Sequence, residues 1–448
     1  MRNVINKNLQ LLGIWYLFFS GISTNHSFAD FVNSFARGYR QLQLPALTYD
    51  YHEYFKSVGK TDKLYEQQQF FLAKRDTLAQ FQQKNLSLDE QIQAAHIEYE
   101  INFNLLRIAL EYQWQETGNG IPENGLNKIK NYSLWYNYFL QKFTSLPVQG
   151  EYVMQFGLNE VKRVKAEIRK IQDSSGFSDS ASFYQHLAGN TFLIKNKKQL
   201  EKSFSKTDST IRANLHLFLA PMHVPSVTAM EWPHSNAQTP PGMYSNEDDN
   251  DFGKNVFMYN FFGGKYNSRA IEWLYMHEAI PGHHLQWCFN KINKSDSLQP
   301  LFFYSGNFEG WACHIEYEGK ELGLYQDTYS YLGKWEWDLV RSARLVIETG
   351  IHYYGWTKEK ALQYWQENVP GQDAIAEREI TRVTNWPGQA ISYKIGAECI
   401  LQLQEEMKKK FGNRYDEKLF HYVYLSFGRR PLEVIKKFFA RKYEESLQ

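Results

Sequence analysis

His277, Glu278, His283 and His284 put three imidazoles and one carboxylate within eight residues, in the order His277-Glu278-Ala279-Ile280-Pro281-Gly282-His283-His284. That density points to metal chemistry. Neutral imidazole nitrogens ligate Zn²⁺, and a carboxylate beside them can take a proton from water. His277-Glu278 has the start of H-E-x-x-H, the zinc-peptidase helix whose two His share a face at i and i+4. Position 281 is Pro, so the second ligand must lie elsewhere. On a straight helix, turning about 100° per residue, His277 would pair with His284 about 10 Å along the axis, barely within reach of one ion. Pro281 opposes a straight helix: it lacks an N–H, clashes with the carbonyl four residues back and drives Ile280 out of the α region. Gly282 permits unusual dihedrals. A kink here brings His283 round to His277. The expected ligands are therefore His277 and His283, with His284 as the alternative. The competing reading is a core helix with hydrogen-bonded histidines, but three imidazoles so close together are costly to bury without a role.

Downstream stands Phe308-Glu309-Gly310-Trp311-Ala312. A gluzincin peptidase takes its third zinc ligand from a Glu on a second helix, and Glu309 fits that role. Glu316 follows about two turns later, placed to orient a ligand His. Glu318 reads as a solvent charge.

His277–Gln286, Phe308–Ala312, Arg341–His352 and Trp386–Gly396 occur in this order, with Gly428–Leu432 near the end. In these stretches the chain resembles the bacterial family called domain of unknown function 885, which belongs to a gluzincin-like metallopeptidase clan. The resemblance covers Phe252–Phe439; the N-terminal half shares only helical character. It implies a largely helical fold and a zinc hydrolase site, and no particular substrate. Glu348 departs from it, standing where Asp is expected, as do Cys313-His314, where Leu-Tyr is expected.

Beside that resemblance the residue chemistry is concrete. One Zn²⁺ on His277, His283 and Glu309 leaves a position for water, and Glu278 serves as general base. The developing oxyanion needs a donor, for which His352 and Tyr393 are the candidates. Either one can equally be a packed core side chain. Arg382 or Lys394 could hold a peptide carboxylate, and Gly388 and Gly396 could admit substrate to the backbone. Arg341 and Arg344 read as a structural pair with Glu348 on one helix.

The elements that must carry these groups are mostly helices. Ser87 and Glu90 form a capping box, followed by Ile101, Leu105 and Ile108 at helical spacing, with Glu98, Glu100 and Arg107 making the stretch amphipathic. Val161, Val164, Ile168 and Ile171 mark a second helix that ends at Ser174-Ser175-Gly176. Lys162, Arg163, Lys165 and Arg169 form its solvated face. The segment 221–255, rich in Pro and acids, reads as a long loop leading to the histidines, a lid over them or a surface excursion. Val256–Phe262 is the best strand candidate. The expected fold is mainly α: one large helical domain, 30–448, with a small β component and a deep cleft carrying a zincin-like site. Residues 30–250 form its helical half and 251–448 its metal-site half.

Arg2, Lys7, the apolar run Leu11–Ile22 and Ser27-Phe28-Ala29 make Met1–Ala29 a secretory signal peptide. The run is short for a membrane span, and no Cys adjoins it to carry a lipid. Export to the periplasm or the exterior is expected, with no stable membrane insertion once the peptide is removed. The formal net charge is +1, near neutral with or without the leader, which argues against a nucleic-acid partner. Three cysteines exclude a disulfide scaffold and leave at least one free thiol. The expected function is a zinc metallopeptidase acting on peptides. The alternatives are a zinc hydrolase of another amide or ester, and a peptide-binding protein derived from a peptidase.

Overall fold

The computed structural model describes residues 27–45, 50–117, 120–248, 250–292 and 296–447. The expected leader lies outside them except for its last three residues. Ser27 there caps the first helix, accepting from the Asp30 N–H while its own N–H donates to the Asp30 carboxylate. Phe28 is buried, so a cut after Ala29 would take both the cap and a core ring.

The helices of the first half are α1 (Phe28–Gln41), α2 (Tyr51–Ser57), α3 (Thr61–Gln82), α4 (Leu88–Thr117), α5 (Tyr132–Thr144), α6 (Gly150–Ser174), α7 (Ser180–Leu187) and α8 (Lys197–Phe218). Those of the second half are α9 (Ile271–Glu278), α10 (His283–Ile292), α11 (Ser305–Ile315), α12 (Thr328–His352), α13 (Lys358–Asn368), α14 (Ala376–Asn385), α15 (Ser392–Phe411), α16 (Glu417–Ser426) and α17 (Leu432–Ser446). The protein is mainly α with a small β component. Among the described residues, no helix is long and apolar enough to cross a membrane.

Five short strands make two sheets: β1 (Leu193–Ile194), β2 (Thr228–Glu231), β3 (Gly242–Ser245), β4 (Val256–Tyr259) and β5 (Tyr266–Asn267). β1 pairs antiparallel with β5. β4 lies between β2, parallel to it, and β3, antiparallel to it. All four β4 residues are buried, as an apolar run sealed on both faces requires. The strand expected over 256–262 stops at Tyr259, where Asn260 turns away to bond the 236–239 loop. The segment 221–255 is thus no plain excursion. It supplies both edge strands, and Gly242–Tyr244 form part of the cleft wall.

The Ser87–Glu90 capping box closes as expected. The helix it begins differs from the amphipathic expectation, because Glu100 and Arg107 are buried. Arg107 bonds Glu111, Gln67 and Asn104. Glu100 accepts from the Tyr304 hydroxyl at 2.5 Å, and burial pushes its carboxyl up to about 7. Hydrogen-bonded partners make such burial tolerable. Tyr304 is the N-cap of α11, so this network fixes the start of the helix that carries Glu309.

Helix α11 crosses α15 at backbone contact. A Cβ on Gly310 would lie 2.6 Å from the Gly396 Cα, and one on Gly396 would lie 2.1 Å from the Gly306 carbonyl oxygen. Only glycine at these crossings lets Glu309 and Tyr393 come near each other. Gly396 therefore serves packing rather than substrate access. Gly388 does too, its N–H donating to Glu348 at 2.6 Å.

Candidate metal centre

Helix α9 ends at Glu278, the Ile280–Pro281 peptide bond is cis, and α10 starts at His283. The Gly282 N–H returns to the Met276 carbonyl at 3.0 Å. A Cβ on Gly282 would meet the His277 carbonyl oxygen. The chain doubles back tightly enough to set the His277 and His283 rings 4.9 Å apart, nearly perpendicular.

Phe308, Glu309, Gly310 and Trp311 each build this centre. The Phe308 ring stacks on His283 at 3.8 Å. Glu309 Oε2 lies 3.5 Å from His277 Nε2 and 3.4 Å from His283 Nε2. Gly310 makes the helix crossing. The Trp311 indole N–H donates to the Pro281 carbonyl at 2.9 Å, tying α11 to the turn.

Behind the two imidazoles, His277 Nδ1 lies 2.7 Å from Glu316 Oε1, and Arg341 donates to the other Glu316 oxygen at 2.7 Å. This chain fixes the ring so that Nε2 faces Glu309, as a carboxylate behind a ligand His does. Burial opposes charge on His277, but Cys313, Glu309 and Glu316 hold its imidazolium well above the usual range. Burial likewise opposes charge on Glu309, and the two imidazoles keep its carboxyl well below the usual range. A metal ion would compete with that proton.

The ligand atoms of His277, His283 and Glu309 lie within 4.8 Å of one another. Two imidazole nitrogens and a carboxylate oxygen are a donor set that could hold a divalent metal. His277, Cys313 and Glu316 form a second such group, one that sequence reading missed because Cys313 stood out only as a departure. That group is sealed, and Arg341 already balances Glu316. The first group opens on a cavity of about 910 Å³.

Glu278 lines this cavity and accepts from the Tyr244 N–H at 2.9 Å. Tyr393 lines it as well, its ring 6.5 Å from that of His277. Burial raises the phenol's pKa, so it stays a donor. Arg382 donates to Gln389 at 2.6 Å and to the Tyr393 hydroxyl at 3.4 Å.

Other expected site residues fall elsewhere. His284 turns away: its Nε2 donates to the Pro225 carbonyl at 3.0 Å, and its Nδ1 lies 2.8 Å from the Tyr244 hydroxyl oxygen. His352 is fully buried between the Leu126 N–H and the Val383 carbonyl, and burial pushes it down to about 4. Both nitrogens are used in the core, so it is no oxyanion donor. Lys394 is buried on Asp338 at 2.7 Å and Glu160 at 2.5 Å, so it holds no substrate. Arg341 and Arg344 pair with Glu316 and Glu379, not with Glu348. Glu318 is half-buried, and burial raises it to about 7. Tyr244 was not legible beforehand, because its part is played by a backbone N–H. The three cysteines are all buried and free.

The helical fold has solved counterparts. One is a candidate lipoprotein from Colwellia psychrerythraea, 23% identical, TM-score 0.66, with 94% of this chain and 73% of that one covered. Another is a candidate lipoprotein of unknown function from Shewanella oneidensis, 18% identical, TM-score 0.57, with 92% and 86% covered. No curated protein matches the sequence. The chain belongs to the bacterial proteins of unknown function designated DUF885, whose sequence profile matches residues 130–438.

Proposed function

We propose that the protein is a zinc-dependent hydrolase of peptide bonds with a gluzincin-like site. The observation that carries this reading is the convergence of His277 Nε2 and His283 Nε2 on one Glu309 oxygen, beside Glu278 in a large cavity. His277, His283 and Glu309 would hold the metal. When bound, zinc supplies Lewis acidity toward water and the scissile carbonyl.

The protein's own groups then act in sequence. Glu278, steadied by the Tyr244 N–H, takes a proton from the attacking water. A C–O bond forms at the carbonyl carbon, and the Tyr393 hydroxyl donates to the oxygen that gains charge. The C–N bond breaks, and Glu278 returns its proton to the leaving amine. One water is consumed, and Glu278 ends as it began. The leader-like N-terminus, together with the lipoprotein description of both solved counterparts, supports an exported enzyme.

The test is metal analysis of the purified protein followed by digestion of a peptide library. About one zinc per chain with metal-dependent cleavage is expected. Peptide binding without cleavage would move the assignment to a peptide-binding protein.

A further inference from the structure

We infer that the arginine face of the cavity is a carboxylate subsite, which holds the C-terminal α-carboxylate of a peptide on the leaving-group side of the metal centre. The inference rests on the hydrolase reading and adds a substrate class to it: short C-terminal fragments are removed.

Arg344, Arg378 and Arg382 all line the cavity, with a single carboxylate, Glu379, among them. Arg344 takes one oxygen of Glu379 at 2.7 Å, and Arg378 takes the other at 3.0 Å. Arg382 is left with an amide oxygen and a phenol, and makes no ion pair among the described residues. Arg382 is half-buried, and a guanidinium partly withdrawn from water without a carboxylate is costly. Its planar donor fork suits a ligand carboxylate held by paired bonds.

The spacing suits a terminal carboxylate. The guanidinium carbons of Arg344 and Arg382 lie 5.8 and 5.7 Å from the Tyr393 ring centre. That ring centre is 6.5 Å from the His277 ring. Arg382 therefore stands no more than about 12 Å from the ligand ring, a reach of about three extended residues at most. A second chamber, of about 340 Å³, opens past His283 and Phe308, lined by Tyr244, Gln286, Trp287 and Asn307. Arg344, Arg378 and Arg382 do not line it. Its cation is the exposed Arg429, so it suits the acyl side of the peptide.

Peptides that differ only in a free or amidated C-terminus test the inference on the zinc-loaded wild type. The free acid is expected to have the higher kcat/KM by about ten- to hundred-fold, the worth of a charged hydrogen bond, mainly through KM. Arg382→Gln should narrow the ratio between the two by weakening the free acid more than the amide, whose loss measures the effect passed through the Tyr393 hydroxyl, and Arg382→Lys should restore part of the difference. A second pair, amidated and carrying Asp or Asn one residue beyond the cut, separates the two sources of carboxylate. Preference for Asp there would assign the face to an acidic side chain and overturn the terminal assignment. Equal cleavage of all these peptides overturns the subsite and leaves the hydrolase standing. If metal binds but nothing is cleaved, the hydrolase reading fails. Calorimetric binding of free-acid against amidated dipeptides to Glu278→Gln then decides the subsite alone, with equal binding overturning it.

Discussion

A Cβ on Gly282 would lie 1.8 Å from the carbonyl oxygen of His277. The residue that lets the chain turn back thus packs on the backbone of a metal-ligand candidate. Gly282→Ala must push the two segments apart and carry His283 off Glu309. We expect a loss of about 2–4 kcal/mol in stability together with loss of metal. Thermal melts and zinc content check this, and a variant that is wild-type in both would contradict the packing argument.

The two adjacent histidines should separate cleanly. His283→Ala should abolish stoichiometric zinc while costing little stability, since its ring has Phe308 and the ligand group as neighbours. His284→Ala should keep zinc but lose about 1–3 kcal/mol, because a fully buried ring is removed together with its bonds to the Tyr244 hydroxyl and the Pro225 carbonyl. Elemental analysis and chemical denaturation read the two effects. Zinc lost only in His284→Ala would reverse the assignment.

Much of the site was readable from residue type and spacing. Pro281-Gly282 in place of the second His announced a break, and the break brings His283 to His277. Glu309 was expected from the gluzincin pattern of a Glu on a second helix, and Glu316 from its place about two turns further on. The failures share a physical cause. His352 and Lys394 have chemistry suited to a site, but whether such a group meets solvent or a buried partner depends on distant chain: Leu126 and Val383 for one, Glu160 and Asp338 for the other. Tyr244 was invisible because any residue except proline carries an N–H. The capping box of α4 was legible because it is local. The burial of Glu100 was not, because its partner Tyr304 lies two hundred residues away.

Glu316 should act on the metal only through His277. Glu316→Gln keeps a hydrogen-bonding group at Nδ1 but removes the charge that orients and polarises the ring. Zinc affinity is expected to fall by about 10- to 100-fold, with the helical content unchanged. Competition against a chelator measures it, and an unchanged affinity would demote Glu316 to a structural partner of Arg341.

Glu348 should give the fold a pH dependence that a glutamine removes. Burial raises its carboxyl to about 8 from an ordinary value of 4.5. Below the ordinary value both folded and unfolded chains hold the proton. Between the two values the unfolded chain ionises while the folded one keeps its proton, so stability falls as pH rises. This group alone contributes about 1.4 kcal/mol per pH unit there. Above the folded value both states are ionised and the slope ends. Glu348→Gln keeps an acceptor for the Gly388 N–H and the Tyr136 hydroxyl. Its stability should therefore drop less than the wild type's between pH 5 and 8 in urea titrations. Parallel profiles would show that the carboxyl is already ionised in the folded protein.

In the proposed reaction Glu278 and Tyr393 divide the chemical work, and their variants should differ in size of effect. Glu278→Gln is nearly isosteric and leaves the three ligand candidates in place, so zinc content and peptide affinity should persist. Turnover should fall by about 10²–10⁴-fold, the scale of a positioned proton-transfer group. Tyr393→Phe removes one hydroxyl and leaves the ring packed among Arg341, Arg344 and Arg382. It should add about 2–4 kcal/mol to the barrier if the hydroxyl donates to the oxyanion. That loss should fall on kcat, because the charge it meets arises only in the transition state. Steady-state kinetics on any peptide the wild type cleaves, with zinc measured in each variant, separates these outcomes. A zinc-loaded, fully active Glu278→Gln would show that the proton passes through another group. A Tyr393→Phe loss confined to KM would place the hydroxyl in substrate binding.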